Sequence, residues 1–199
     1  MVADYVDAAR RATRDRKPVW LVPQAFDHVV GPGNYRMPTV DEQRAMCYLG
    51  LVHGAKGICW FSYTGFCVNS AEQAEKQDLP HYWVFRGSIP DCFPLRYDGM
   101  KRIIREVREL EDVWLAADTE QYQELIDGGS SIHHLMRSTG PDTYLFAVNP
   151  TREPVSFACR LPDIWHNVDV LWEDRSIEIQ DTVLADSFAP LEVHTYQLR

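Results

Sequence analysis

Side chains that can bind or react with a ligand follow directly after two apolar segments of the chain. The candidates are Gln24, Asp27 and His28 after the first segment, Arg36 in the connection that follows, and Trp60, Ser62 and Tyr63 after the second. Their amide, carboxylate, imidazole, guanidinium and hydroxyl groups form hydrogen bonds, and an indole ring offers a flat apolar face. If the two segments are neighbouring parallel strands, their carboxyl ends meet and these side chains share one site.

Other kinds of site are not indicated. The adjacent His133 and His134 would point to opposite faces of a strand, with no His-x-x-x-His spacing nearby, so the sequence predicts no metal site. Gly31-Pro-Gly33 lacks the lysine and the serine or threonine of a phosphate-binding loop. Ser62 lacks the Gly-x-Ser-x-Gly surroundings of a nucleophilic serine. We therefore expect no cofactor.

Composition limits the classes of partner. The 199 residues carry a formal charge of −9, which disfavours nucleic acid and anionic membranes and leaves neutral ligands such as sugars. The sequence shows no apolar run near the roughly 20 residues that span a bilayer, so neither a signal peptide nor membrane association is expected. The localisation stays open, and the parent protein could be secreted or periplasmic. Five cysteines without C-x-x-C spacing are expected to be buried free thiols.

The first 118 residues alternate helix and strand. Residues 3–15 predict a helix, Val19 to Val22 a strand apolar on both faces, and Gly57 to Ser62 a second such strand. Between them, Thr39 and Glu42 have the spacing of a capping box that begins a helix.

A long loop over residues 63–97 precedes a third predicted helix. Apolar residues at steps of three and four from Met100 to Trp114 give that helix a core-facing side. Arginines and glutamates including Glu106 are expected on the opposite, solvated face, which also argues against a nucleic-acid-binding stripe.

After residue 118 the period of the apolar residues changes from about 3.6 to 2, which indicates strands. The predicted strands are Ile132 to Arg137, Thr143 to Val148, Val155 to Leu161, Val168 to Trp172, Ser176 to Ile179, Val183 to Phe188 and Glu192 to Leu198. Strands of this length and number predict a small antiparallel β-sandwich. Trp172 fits a core-facing position in this pattern. The sequence thus divides into residues 1–118, of α/β type, and residues 119–199, all β.

Several segments resemble a known family when taken in order. Pro18-Val-Trp-Leu-Val-Pro-Gln-Ala-Phe26, Arg36-Met-Pro-Thr39, His53-Gly-Ala-Lys-Gly57 and Trp60-Phe-Ser-Tyr63 resemble the end of a clan-A-type glycoside hydrolase barrel. Residues 119–199 are similar to the β-sandwich that follows such barrels, for example at Trp172-Glu-Asp-Arg175. The resemblance implies a partial (β/α)8, or TIM, barrel that holds strands 7 and 8 and helices 6 to 8.

The resemblance also implies roles for the candidate residues. Glycosidases of this kind use two carboxyl groups, at the ends of strands 4 and 7. Strand 4 is absent from this chain, and the strand 7 position falls near Gln24, an amide that cannot act as a nucleophile. Asp27 is a weak candidate for that role, and otherwise a turn or helix-capping residue. Trp60 takes the place of an aromatic floor beneath a sugar ring, with barrel core as the alternative, and Gln24 binds either a sugar hydroxyl or nearby backbone groups.

Two hypotheses follow. In the first, the chain is the C-terminal fragment of a glycoside hydrolase acting on O-glycosidic bonds, contributes part of the sugar site and is inactive by itself. In the second, it is a non-catalytic carbohydrate-binding or interaction module whose sandwich is the working part. Because strands 7 and 8 of a barrel normally pair with strands 6 and 1, the first hypothesis predicts self-association or binding of a partner chain through exposed barrel edges.

Overall fold

The computed structural model describes residues 1–26, 36–62, 89–116, 124–127, 131–161, 165, 167–179 and 181–199. The helices are α1 (Val2–Thr13), α2 (Val40–Val52), α3 (Ile89–Cys92), α4 (Pro94–Glu109) and α5 (Glu111–Leu115). The strands are β1 (Trp20–Leu21), β2 (Gly57–Ile58), β3 (Glu124–Asp127), β4 (His133–Thr139), β5 (Asp142–Val148), β6 (Val155–Arg160), β7 (Asn167–Val170), β8 (Arg175–Glu178), β9 (Val183–Phe188) and β10 (Val193–Leu198). The protein is therefore a mixed helix and sheet structure, and its described strands form no closed barrel.

The first part contains two parallel strands joined through a helix. β1 and β2 pair in parallel, with Trp20 opposite Gly57. The capping box that begins α2 is confirmed, because the Thr39 hydroxyl accepts from the Glu42 N–H and the Glu42 carboxylate accepts from the Thr39 N–H. Gly54 takes a φ of 92° just after α2, a conformation that glycine adopts without the penalty of a Cβ. Two parallel strands cannot be joined by a tight turn, and α2 forms the crossover connection between β1 and β2.

The third predicted helix differs from expectation in two ways. It begins earlier, since α3 and the first turn of α4 occupy the end of the predicted loop, and it is divided at Leu110 into α4 and α5. Glu106, which we expected on the solvated face, is only 4% exposed. Its carboxylate accepts hydrogen bonds from Arg44 at 2.9 Å and from the Tyr48 hydroxyl at 3.0 Å. A buried carboxylate needs such partners, and here they come from α2.

The last part forms two antiparallel sheets. One has the strand order β4-β5-β10-β7-β8 and the other the order β3-β6-β9. All seven predicted strands are present within one to two residues at each end, and β3 is an additional strand that the sequence pattern did not predict. The expectation for Trp172 is wrong: it lies in the turn after β7 with a φ of 64° and is 41% exposed.

The five-stranded sheet is buried on both faces. One face packs with the three-stranded sheet through a shared cluster that includes Leu145, Phe157, Leu184 and Tyr196. The other face packs against helices α1, α2 and α5, and Trp114 of α5 lies over Phe146 with a ring separation of 3.8 Å. β5 is accordingly apolar at consecutive positions. The sheet therefore connects the helices of the first part to the rest of the protein.

The structure describes the side chains of three cysteines. Cys47 and Cys159 are buried free thiols, as expected, whereas Cys59 is free but exposed. Burial raises the pKa of Cys47 well above its ordinary value and raises the pKa of Cys159 to about 11. Neither buried thiol is therefore set up as a nucleophile, since the thiolate is the reactive form.

Candidate functional site

The carboxyl ends of β1 and β2 lie side by side. Gln24 and Phe61 form a parallel bridge, in which the Ala25 N–H donates to the Phe61 carbonyl at 2.6 Å and the Phe61 N–H donates to the Pro23 carbonyl at 3.1 Å. This pairing brings Gln24 to the same edge as Trp60 and Ser62. We call these three residues, together with Arg36, the strand-end site.

Gln24 is held by the backbone on both sides of residues 27–35. Its Nε2 donates to the Phe26 carbonyl at 2.8 Å and to the Arg36 carbonyl at 2.9 Å. The side-chain amide therefore holds Phe26 and Arg36, the residues that flank 27–35, close to each other. The sequence left two roles open for Gln24, and these hydrogen bonds correspond to the one in which its amide binds nearby backbone groups. A contact with a sugar hydroxyl stays a prediction.

The Arg36 guanidinium is engaged by Glu42. Arg36 Nη1 donates to Glu42 Oε2 at 2.6 Å, and Arg152 donates to the same carboxylate at 3.1 Å. The hydrogen bond from Arg36 lowers the pKa of Glu42 to about 2, aided by the Thr39 N–H and by the charge of Arg152. Arg36 is thus positioned by the cap of α2, and its charge is largely balanced before any ligand arrives.

Trp60 is half-buried and packs against a small cluster formed by Ala25, Met37, Ile89 and Met100. Its indole Nε1 is buried and makes no hydrogen bond. The same ring lines a cavity of about 520 Å³ together with Trp20 and Trp114. A cavity of this size with an aromatic lining falls within the range of small-molecule sites, which is about 300 to 1,000 Å³.

Phe61 and Ser62 follow Trp60 at the end of β2. Phe61 is 52% exposed, and its ring meets the Phe26 ring edge to face at 5.7 Å. The peptide bond between Phe61 and Ser62 is cis. Asp27, His28 and Tyr63, the other predicted site residues, lie outside the described residues. The described residues directly after the two strands, 24–26 and 59–62, include no aspartate or glutamate.

The structure adds a cavity that the sequence did not indicate. A cavity of about 410 Å³ is lined by Gln24, Arg36 and Glu42, together with Pro150 and Leu191 of the antiparallel part. Gln24 and Arg36 of the strand-end site therefore lie against loops that follow more than a hundred residues later. No local pattern predicts such a contact, because it depends on how α2 packs on the five-stranded sheet.

A second polar cluster lies where β8, β9 and β10 meet. Arg175 donates to Asp186 and to Glu173, each at 2.8 Å, and the Tyr196 hydroxyl donates to Asp186 at 3.0 Å. His194 pairs with Glu173. Burial opposes ionisation of Asp186, but the hydrogen bonds from Arg175 and the Ser187 N–H keep its pKa below the ordinary value. These contacts stabilise the junction of the two sheets.

The described residues show neither a metal-binding cluster nor a membrane-spanning helix. No group of three or more histidine, cysteine, aspartate or glutamate side chains there is arranged to hold a metal ion. None of the helices in the described ranges has both the length and the apolar character needed to cross a membrane.

Comparisons with known proteins give a likeness of fold. No family model matches the sequence, and no curated protein sequence matches it significantly. Among solved structures, the chain is similar to AmyP E221Q in complex with maltotriose, with a TM-score of 0.51 and 11% identity over 80% of this chain and 34% of that chain. AmyP in complex with maltose gives a TM-score of 0.51 and 12% identity over the same shares. An α-amylase of Anoxybacillus gives a TM-score of 0.49 and 13% identity over 81% of this chain and 33% of that chain. The chain spans about a third of the length of each of these three chains.

Proposed function

We propose that this chain is the C-terminal part of a barrel glycoside hydrolase. Residues 1–118 would supply strands 7 and 8 of a (β/α)8 barrel with helices 6 to 8, and residues 119–199 the β-sandwich behind it. The observation that carries this proposal is the parallel β1–β2 pair, joined through α2, whose carboxyl ends meet at Gln24 and Phe61. The likeness in fold to a part of AmyP supports it.

The β1–β2 pair is physically incomplete. Parallel sheets are normally covered on both faces and have more than two strands. In the described part of the chain, β1 and β2 pair only with each other, and Trp20, Val22 and Phe61 are exposed by 64%, 58% and 52%. Further strands supplied by the rest of a barrel would cover these side chains and use the open strand edges.

The sugar would bind at the strand-end site. In this proposal Trp60 gives a sugar ring an apolar surface, and Ser62, Tyr63, His28 and the Arg36 loop supply hydrogen bonds. Glycoside hydrolysis needs two carboxyl groups, and in this family the general acid lies at the end of strand 4, which this chain does not supply, so the acid would lie outside this chain. The strand 7 position, where the other carboxylate is expected, falls near Gln24. Asp27 is the candidate for the second carboxylate. The 199 residues alone would then hydrolyse no glycoside.

The test uses the protein expressed from its complete reading frame. Trp60→Ala should reduce kcat/KM on the preferred oligosaccharide about tenfold or more, whereas Trp172→Ala, which removes the same side chain elsewhere, should leave it unchanged. Glycosidase activity on a panel of α- and β-linked oligosaccharides would identify the substrate. Absence of activity, together with a reading frame that begins at the Met1 codon, would refute the hydrolase proposal.

A second function is favoured by one observation. The Trp172 indole is 41% exposed and is held in place because its Nε1 donates to Glu109 at 2.9 Å. A rigid exposed indole is a platform on which a sugar ring can pack. If the protein is a non-catalytic carbohydrate-binding module, Trp172→Ala should abolish retention on an insoluble polysaccharide and Trp60→Ala should not. The same pair of variants therefore distinguishes the two functions.

A further inference from the structure

Two histidine side chains meet where the helices contact the five-stranded sheet. His53 is the C-cap of α2, and His133 begins β4, which is an edge strand of that sheet. His53 Nε2 lies 2.7 Å from His133 Nδ1, and on the other side of the same ring His53 Nδ1 lies 2.9 Å from Asp7 Oδ1 of α1. We call Asp7, His53 and His133 the histidine junction. It connects α1, α2 and β4 through one line of hydrogen bonds.

The contact between the two rings depends on a single proton. At a separation of 2.7 Å, one of the facing nitrogens must carry a hydrogen and the other must accept it. A neutral imidazole has one donor and one acceptor nitrogen, whereas a charged imidazolium has two donors. The contact therefore forms when both rings are neutral or when one of them is charged. When both rings are charged, two N–H groups and two positive charges face each other, and the contact becomes repulsive.

Helix α1 presents charges of both signs to the junction. The carboxylates of Asp4 and Asp7 favour charged histidines, although Asp4 already accepts a hydrogen bond from the Met1 amino group at 2.6 Å. Arg10 of the same helix donates to the His53 carbonyl at 2.9 Å, which places its positive charge beside the junction. The charges of α1 therefore act in opposite directions on the two rings.

Burial decides the balance on His133. It is the largest influence and lowers the pKa of His133, and the charges of His53 and His134 lower it further, against the opposing effect of the two aspartates. On β5 the residue paired with His133 is Val148, which adds no charge. The pKa of His133 therefore lies below its ordinary 6.5, so the folded protein takes up this proton at a lower pH than the unfolded chain does. The stability that the neutral ring supplies is complete above about pH 6.5 and is lost as the pH falls below it.

We propose that the histidine junction is an acid-sensitive contact, which fixes α1 to α2 and β4 at neutral pH and loosens α1 in mild acid. Only Ala3 and Val6 of the 12 residues of α1 are buried, whereas eight of the 13 residues of α2 are. The polar contacts of α1 therefore matter more for its position than those of α2 do. A segment with so little apolar contact can open locally while the rest of the protein stays folded. The junction uses no residue of the strand-end site and does not rest on the hydrolase proposal.

Titration of the imidazoles by NMR tests the coupling between the two rings. In the wild-type protein His133 should titrate below its ordinary pKa, and in His53→Gln its pKa should rise, because the neighbouring positive charge is gone. His134 is the internal control: burial lowers its pKa without a contribution from His53, so its titration should stay unchanged. An unchanged pKa of His133 in His53→Gln, or equal shifts of His133 and His134, would overturn the coupling.

Hydrogen exchange tests the loosening itself. Between about pH 7.5 and about pH 5.5, the protection factors of the α1 amides should fall about tenfold in the wild-type protein, as expected from the loss of one hydrogen bond to a charged group, while those of β10 should stay the same. His133→Asn keeps a hydrogen-bonding group in place of Nδ1 and cannot titrate, so its α1 protection should not fall. The matched control is His134→Asn, which makes the same change on the opposite face of β4 and should behave as the wild-type protein does.

The outcomes separate the junction from a general effect of acid. A fall in α1 protection in the wild-type protein and in His134→Asn, absent from His133→Asn, supports the proposal. Equal α1 protection at both pH values in the wild-type protein overturns it, and this comparison needs no variant. A fall of equal size in His133→Asn also overturns it, because the titrating group would then lie elsewhere. A parallel fall in β10 overturns it as well, since acid would then act on the whole fold.

Discussion

The buried ion pair between α2 and α4 provides the sharpest test of the structure. Glu106 accepts from Arg44 Nε at 2.9 Å and from the Tyr48 hydroxyl at 3.0 Å, and Arg44 Nη1 also donates to the Val193 carbonyl of β10 at 2.6 Å. Burial alone would lower the pKa of Arg44, but the Glu106 charge reverses this effect and the pKa is raised. Glu106→Gln keeps the shape of the side chain and removes its charge.

The expected cost follows from the buried charge that remains. Removing one partner of a buried ion pair destabilises a protein by about 3 to 5 kcal/mol, because the other charge stays desolvated. The glutamine can still accept the hydrogen bond from Tyr48, so the loss should be near the lower value, about 3 kcal/mol. For a chain of this length each kcal/mol lowers Tm by about 2 to 4 °C, which predicts a decrease of about 6 to 12 °C.

Urea unfolding followed by tryptophan fluorescence measures this loss. The control is Asp98→Asn on the same helix, whose partner Lys101 is exposed; an exposed pair contributes about 1 kcal/mol or less. Replacing both Arg44 and Glu106 by methionine should cost less than the sum of the single changes, since no buried charge remains unpaired. If Glu106→Gln costs no more than Asp98→Asn, the Glu106 carboxylate is not buried in an ion pair with Arg44.

Three further predictions concern the helix cap and the parallel pair. Thr39→Ala removes the acceptor for the Glu42 N–H and should cost about 1 kcal/mol in urea unfolding, while Thr39→Ser should cost less. The pKa of Glu42 lies near 2, below its ordinary 4.5, so its ion pairs stabilise the fold above about pH 4.5 and are lost as the pH falls towards 2. In Glu42→Gln the free energy of unfolding should therefore fall less steeply with decreasing pH in this range. An unchanged pH dependence would contradict the pairing with Arg36. A Cβ at Gly57 would lie 2.8 Å from the Trp20 ring, so Gly57→Ala should cost about 1 to 3 kcal/mol and Trp20→Ala in the same chain should relieve it.

Local patterns predicted the elements whose causes are local. The capping box of Thr39 and Glu42, and the strand Val183–Phe188, are present where the sequence placed them. Glu106 was misplaced because the helical period reveals one buried face, whereas this side chain is buried by Arg44 and Tyr48 on a different helix. Strand β3 was missed because it is only four residues long and begins and ends with a charged residue.

The candidate site, too, was predicted only where its causes are local. Placing the candidate residues after two apolar segments correctly predicted that the ends of both strands meet, because parallel pairing follows from the strand and helix pattern. What Gln24 does there was open, since its partners are the carbonyls of Phe26 and Arg36 and depend on the course of the connection between them. The exposed turn position of Trp172 required a left-handed backbone that the alternating pattern does not show.

Under the proposed function, the packing also indicates where further barrel strands would join. Helices α2 and α5 bury their apolar sides against the five-stranded sheet, through contacts such as that of Trp114 with Phe146. They therefore need no further barrel strands to be stable, and the helices and the antiparallel sheets should unfold as one cooperative unit. The parallel strands β1 and β2 are different, because Trp20 and Val22 are exposed beside open strand edges. We therefore expect any completing segment, partner chain or second copy to pair along those edges, because pairing there removes both the apolar exposure and the unused backbone groups.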